Sequence, residues 1–110
     1  MKNLTILVLC FCAFLSACKK QIEFDAQKWQ NGKYRYEMAE SLIKKLEKEK
    51  PSRTEVEQIL GIPEVEGNIG EKSLTYFLKS DAIIGFAMYQ LAVHFDEGGT
   101  FEKAEILYTD

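Results

Sequence analysis

The segment PSRTEVEQILGIPE, residues 51–64, specifies a short helix at both of its ends. Ser52 and Glu55 form an S-x-x-E capping box, which satisfies the free backbone amides at a helix start. Gly61 suits the left-handed position after a last helical turn, and Pro63 prevents the helix from continuing. The apolar stripe between these signals consists of Val56, Ile59 and Leu60. The segment therefore predicts a helix with one buried face.

A longer amphipathic helix is predicted directly before it, over residues 33–49. Asn31 and Gly32 break the chain before this helix, and Pro51 closes it. Its apolar residues recur at three- and four-residue spacings on one face. They are Tyr34, Met38, Ala39, Leu42, Ile43 and Leu46. The mixed-sign charge run over residues 44–50 is typical of a solvent-exposed helix face.

After residue 72 the apolar residues alternate with a period of two, which predicts strands. The first two sets are Leu74, Tyr76 and Leu78, then Tyr89, Leu91, Val93 and Phe95. The sequence Glu97-Gly98-Gly99 predicts a turn, and TFEKAEILY, residues 100–108, a third strand. An antiparallel sheet with one apolar face requires other elements to bury that face. We therefore expect two N-terminal helices packed on a three-stranded antiparallel meander, which is a two-layer α+β domain.

The N-terminus has the pattern of an export signal: Lys2, an apolar run from residue 4 to 15, and small residues. The run is shorter than the roughly 20 residues of a membrane-spanning helix, so a transmembrane anchor is the weaker interpretation. The sequence Leu15-Ser16-Ala17-Cys18 resembles a bacterial lipobox, a pattern that Cys10 and Cys12 lack. The resemblance implies cleavage between Ala17 and Cys18, with lipid, including palmitate-type acyl chains, on Cys18. An ordinary secretory signal with an incidental cysteine is the alternative.

These patterns divide the chain into three parts: a signal peptide (1–17), a lipidated cysteine with a short tether (18–25), and one α+β domain (26–110). No cysteine follows Cys18, so the domain can form neither a disulfide nor a cysteine-based metal site. The 110-residue chain has a net charge of −3 and no basic patch. This charge argues against nucleic acid as a partner.

The order of elements and several residues resemble the outer-membrane lipoproteins of the SmpA/OmlA (BamE-like) family, whose fold the β-lactamase inhibitor protein repeats share. The family pattern is Ser/Thr followed by E-V-x-x-x-L-G-x-P, an aromatic strand, and L-x-V-x-F-D-x-x-G-x-V. The matching residues are Ser52, Glu55, Val56, Leu60, Gly61, Pro63, Tyr76, Leu91, Val93, Phe95, Asp96 and Gly99. Pro51 stands where a glycine is usual, and Phe101 replaces the final valine. The resemblance covers roughly residues 50–108 and implies the fold more than an activity.

The sequence offers little for catalysis or metal binding. His94 is the only histidine, and it alternates with Leu91, Val93 and Phe95, so we expect a surface or half-buried strand residue. Asp96 and the following glutamate lack the spacing of an oxygen-rich calcium loop and suit a turn. Neither a nucleophile elbow nor a glycine-rich phosphate loop is present. We therefore expect no enzyme activity, no metal and no cofactor.

The apolar segment that follows the first strand is the strongest candidate for a binding surface. Residues 82–89 carry no charge and are more apolar than one strand face requires. The candidate interaction surface comprises Trp29, Phe77, Ile83, Ile84, Phe86 and Met88. The alternative is that the segment extends the second strand beneath the helices, with Gly85 at a bulge. For Trp29, which precedes the first predicted helix, the alternative is a residue that caps the core.

The expected function is that of a lipid-anchored, non-enzymatic protein-interaction domain at the outer membrane. We expect it on the periplasmic face, although surface display stays open. The expected partner is an outer-membrane β-barrel or an assembly component. Two alternatives remain: an inhibitor of a secreted or periplasmic enzyme that presents residues 80–88, or a small-ligand-binding lipoprotein, which requires a concave pocket.

Overall fold

The structure, a computed structural model, describes residues 21–80 and 87–109. Its elements, in chain order, are α1 (Ala26–Gln30), α2 (Arg35–Glu49), α3 (Arg53–Leu60), a short 3-10 helix (Glu66–Asn68), β1 (Ser73–Ser80), β2 (Met88–Phe95) and β3 (Phe101–Thr109). The strands form one antiparallel sheet in the order β1-β2-β3. The predicted α+β class and the meander are confirmed.

Helix α3 has the ends that its sequence predicts. The Ser52 hydroxyl accepts a hydrogen bond from the Glu55 amide (3.2 Å), and the Glu55 carboxylate accepts one from the Ser52 amide (3.0 Å). Gly61 has a φ of +83°, a value that favours glycine, but its ψ of 179° sends the chain out in an extended path. The helix therefore ends at Leu60 as expected, without the left-handed turn that the sequence predicts.

Helix α2 is two residues shorter at its start than predicted. Tyr34 has a φ of +61°, in the left-handed region, so the regular helix begins at Arg35. The prediction that Tyr34 lies on the buried face is wrong, because this conformation turns its ring away and leaves it exposed. The remaining apolar positions are buried as predicted or, for Ile43, half-buried: Met38, Ala39, Leu42, Ile43 and Leu46.

Helix α1 is an element that the sequence analysis did not predict, so the domain has three α-helices rather than two. Asp25 is its N-cap, with a carboxylate oxygen that accepts hydrogen bonds from the amides of Gln27 (2.9 Å) and Lys28 (3.1 Å). Five residues are too few to show helical periodicity. Its one buried residue is Trp29.

The core lies between the helices and one face of the sheet. The register pairs Leu74 with Val93 and Tyr76 with Leu91, so the predicted apolar faces of β1 and β2 coincide. The buried strand residues in the core cluster are Leu74, Tyr76, Leu78, Leu91, Val93, Phe95 and Phe101. His94 points to the opposite face and is half-buried, as predicted, with Nε2 3.6 Å from a Glu105 carboxylate oxygen.

A short backbone pairing joins the start of α3 to the β2–β3 turn. The Arg53 amide donates to the Gly99 carbonyl, and the Phe101 amide donates to the Pro51 carbonyl, both at 2.8 Å. We call this pairing of residues 51–53 with residues 99–101 the clasp. The turn itself is held by Asp96, whose carboxylate accepts from the amides of residues 98 (2.9 Å) and 100 (3.0 Å). Asp96 is thus a turn residue, as predicted.

The segment before α1 contacts the domain. The Ile22 amide donates to the Glu37 carbonyl (3.0 Å), and the Ser41 hydroxyl donates to the Ile22 carbonyl (3.0 Å). Residues 22–25, which the sequence analysis assigns to the tether, therefore lie against α2 or cap α1. In residues 21–80 and 87–109, no helix has the length and apolarity to cross a bilayer.

A candidate binding groove beside the first strand

A groove of about 550 Å³ lies on the side of the domain where β1 forms the edge of the sheet. Its walls are the end of α1, the chain that leaves α3, and the middle of β1. These are residues 30–32, residues 60–65 and Thr75–Phe77, and Arg35 and Asn68 also line the groove. Three separate segments therefore meet at one concave surface.

Two buried aromatic residues fix the path of the chain that leaves α3. The Trp29 indole Nε1 donates to the Leu60 carbonyl (3.1 Å), and the Tyr76 hydroxyl donates to the Gly61 carbonyl (2.8 Å). Their rings meet edge to face, with centroids 5.9 Å apart. Burial raises the pKa of Tyr76, and the nearby Glu57 carboxylate adds to this rise. The hydroxyl is therefore a stable donor, and the groove wall is held by fixed hydrogen bonds.

Arg35 brings a positive charge to the groove. Its Nε donates to the Trp29 carbonyl (2.8 Å), its Nη1 donates to the Phe77 carbonyl (3.1 Å), and its guanidinium carbon lies 4.7 Å from the Trp29 ring centroid. Burial lowers the pKa of Arg35, and the Glu64 carboxylate opposes that shift. A guanidinium stays protonated in proteins and has five N–H donors. Arg35 thus keeps its charge and has donors beyond these two bonds.

The rim of the groove is apolar and exposed. Ile62 is 64% exposed, Val65 is 61% exposed and Phe77 is 46% exposed. Large apolar side chains grouped in this way around a concave surface are typical of binding sites. The groove therefore combines an apolar rim with one fixed cation.

Hydrogen bonds also cover the outer edge of β1 on both sides of the groove. The Arg35 guanidinium donates to the Phe77 carbonyl, and the Gly70 amide donates to the Ser73 carbonyl (2.8 Å). An isolated bridge between Ile69 and Leu74 adds to this cover. Two carbonyls on the outer edge of β1, those of Ser73 and Phe77, are therefore already occupied.

The predicted surface residues divide three ways. Phe77 is exposed at the groove rim. Assigning Trp29 to the interaction surface was wrong, because its ring is fully buried between α1, α3 and β1. Met88 is half-buried and lies at the far end of the sheet, opposite Ser80 and Thr109. The other predicted site residues, Ala17, Cys18, Ile83, Ile84 and Phe86, lie outside the described residues.

Three groove residues were not predicted from the sequence patterns: Arg35, Ile62 and Val65. Arg35 lies at the start of an amphipathic helix, where a charged residue needs no special explanation. The sequence could have indicated Ile62, because this residue lies between Gly61 and Pro63, outside any helix or strand pattern that would place it on a buried face. In the described ranges, no group of three or more His, Cys, Asp or Glu side chains is arranged to hold a metal ion.

No protein-family model, curated protein or solved structure matches this chain.

Proposed function

We propose that this chain is a lipid-anchored, non-enzymatic protein-interaction domain of the outer membrane, and that its groove binds an apolar segment of a membrane-protein partner. The observation that carries the proposal is the exposed apolar rim of Ile62, Val65 and Phe77 beside the cation of Arg35. Interfaces place apolar and aromatic anchors in pockets, with arginine among the residues that contribute most.

The lipobox-like sequence supports the membrane part of the proposal. One acyl chain gives marginal membrane binding, whereas two or more give stable anchoring. A domain anchored through Cys18 meets membrane-embedded partners at a high effective concentration, so a modest groove suffices for binding. The partner class that fits is an outer-membrane β-barrel or an assembly component, reached from the periplasmic face.

Site-specific photocrosslinking in intact cells tests the groove. The full chain carries a photoreactive amino acid at Ile62 or at Phe77, and the matched control carries it at Glu47, an exposed position on α2. We expect a near-stoichiometric adduct with one outer-membrane β-barrel or assembly component from both groove positions and none from Glu47. An adduct with a secreted or periplasmic enzyme would overturn the scaffold function in favour of an inhibitor.

The groove volume favours one further candidate, a small-ligand-binding lipoprotein. At about 550 Å³, the groove falls in the range of roughly 300–1,000 Å³ that small-molecule sites occupy. Native mass spectrometry of the chain purified from membranes distinguishes this candidate. A bound small molecule that is lost in an Ile62→Asp variant, together with an absence of protein adducts, would replace the protein-interaction proposal.

A further inference from the structure

Arg35 is a half-buried cation without a carboxylate partner in the described part of the domain. The other arginine of the chain, Arg53, lies 3.7 Å from a Glu57 carboxylate oxygen. Within residues 21–80 and 87–109, no carboxylate oxygen lies within 4.0 Å of the Arg35 guanidinium. Its two hydrogen bonds go to the backbone carbonyls of Trp29 and Phe77, which carry no net charge. These contacts therefore fix the position of Arg35 but leave its charge uncompensated.

The guanidinium of Arg35 is held in place and still has unused N–H donors. Its Nε and Nη1 donate to the two carbonyls, and its plane is anchored beside the Trp29 ring. A guanidinium has five N–H groups, so the remaining ones, on Nη1 and Nη2, are available to an occupant of the groove. A carboxylate matches them in charge and can accept two of them at once. Because the guanidinium is already fixed, such binding would cost little side-chain entropy.

One carboxylate of this chain, that of Glu64, lines the same groove. Its charge opposes the lowering of the Arg35 pKa by burial, but the two side chains form no ion pair within 4.0 Å. Glu64 is exposed, so solvent screens its attraction to Arg35. Glu64 therefore leaves the Arg35 donors free, and it would repel a second carboxylate that binds them.

We propose that the partner segment in the groove carries an aspartate or a glutamate whose side-chain carboxylate binds the unused N–H groups of Arg35. This inference rests on the proposed function and names the chemistry of the partner. Apolar residues of the same segment contact Ile62, Val65 and Phe77, which are exposed in the same groove. The charge pair gains strength as the segment excludes water from the groove. The rim thus selects an apolar segment, and Arg35 selects one with a negative charge.

Mapping the photocrosslinks tests the chemistry of the segment. Mass spectrometry of the digested adducts from Ile62 and Phe77 identifies the partner segment, which should contain an aspartate or a glutamate. A synthetic peptide of that segment, acetylated and amidated so that only side chains supply carboxylates, is compared with a peptide that has Asn for Asp and Gln for Glu. Fluorescence anisotropy with the full chain in detergent should show an affinity about tenfold lower, or less, for the neutral peptide.

The outcomes of this comparison separate the inference from the proposed function. Equal affinities for the two peptides, or a mapped segment without an acidic residue, would overturn the inference while the proposed function stands. The absence of any adduct from both groove positions would overturn the proposed function, and the inference with it.

A variant of Glu64 gives a second test that leaves the groove wall intact, whereas replacing Arg35 would also remove its bonds to two carbonyls. Glu64→Gln removes the repelling charge from an exposed position and should raise the affinity for the acidic peptide about two- to fivefold. The affinity for the neutral peptide should stay the same. The matched control Glu66→Gln, exposed but outside the groove lining, should have a smaller effect. No gain with the acidic peptide, or an equal gain with the neutral one, would contradict a carboxylate bound at Arg35.

Discussion

Trp29 is the residue on which the groove wall depends most. It is fully buried, and its indole donates to the Leu60 carbonyl where α3 ends. Trp29→Phe should lower the free energy of unfolding by about 1–3 kcal/mol, because it leaves that buried carbonyl unpaired. Trp29→Ala should lower it by about 3–5 kcal/mol. Urea unfolding measures both changes.

Phe77→Ala is the matched control for Trp29, since it removes an aromatic ring from an exposed position beside the same groove. It should change the free energy of unfolding by no more than about 1 kcal/mol. A loss as large as that of Trp29→Ala would mean that Phe77 is a core residue, contrary to its exposure.

The buried Tyr76 hydroxyl makes the stability of the domain fall at alkaline pH. Burial raises its pKa above the ordinary value of 10.0, so the folded state favours the protonated hydroxyl. This contribution is complete below pH 10 and is lost as the pH rises from there toward the raised pKa. Tyr76→Phe should lower stability by about 1 kcal/mol at neutral pH, through loss of the bond to Gly61. It should also flatten the decline above pH 10.

Unfolding measured between pH 7 and pH 11 checks this dependence. Tyr34→Phe is the matched control, since the Tyr34 ring is exposed. An equally steep alkaline decline in the unsubstituted protein and in Tyr76→Phe would contradict the assignment.

At the scale of elements, the capping box of α3 is a local device that can be tested by itself. Ser52→Ala removes the acceptor for the Glu55 amide and should lower the free energy of unfolding by about 1 kcal/mol. Glu55→Gln keeps a side chain that can reach back to the Ser52 amide, so it should lower stability by less. Chemical denaturation compares the two variants, and an equal loss would argue against a reciprocal box.

Gly99 in the β2–β3 turn allows a similar local test of stability. Gly99 has a φ of +82°, so Gly99→Ala should lower stability by about 1 kcal/mol or more, even though space is available for the methyl group. Gly67 also has open space around it but no positive φ. Gly67→Ala is therefore the matched control, and thermal melts should show it to be neutral or slightly stabilising.

These elements differ in how far the sequence could predict them. The ends of α3 follow from residues adjacent in sequence, because a capping box and a following glycine act locally. Helix α1 has only an N-cap and five residues, so its formation depends on burial of Trp29 against α3 and β1, which no local pattern contains. Of the groove rim, the sequence indicated Phe77 alone, because Ile62 and Val65 come from a separate segment that only the tertiary fold brings beside it.

At the scale of the whole molecule, the proposed anchor sets the distance of the domain from its membrane. Ile22 is bonded to α2, and Cys18 lies four residues earlier. At about 3.5 Å per residue, even a fully extended chain between these two residues spans roughly 14 Å at most. We predict that Cys18→Ser abolishes incorporation of labelled palmitate and moves the protein out of the detergent phase in phase separation. Cys12→Ser should leave both properties unchanged, and labelling that persists in Cys18→Ser would contradict lipidation at this residue.

The clasp also has a consequence for when the chain can fold. It joins residues about 50 positions apart, and loops of that length close slowly compared with a helix or a hairpin. A chain synthesised from its N-terminus presents α2 and α3 well before the turn at Gly99 exists. The apolar faces of both helices are therefore without a complete sheet until β3, Phe101–Thr109, has also been synthesised. The clasp is consequently among the late contacts to form in a chain that emerges from its N-terminus.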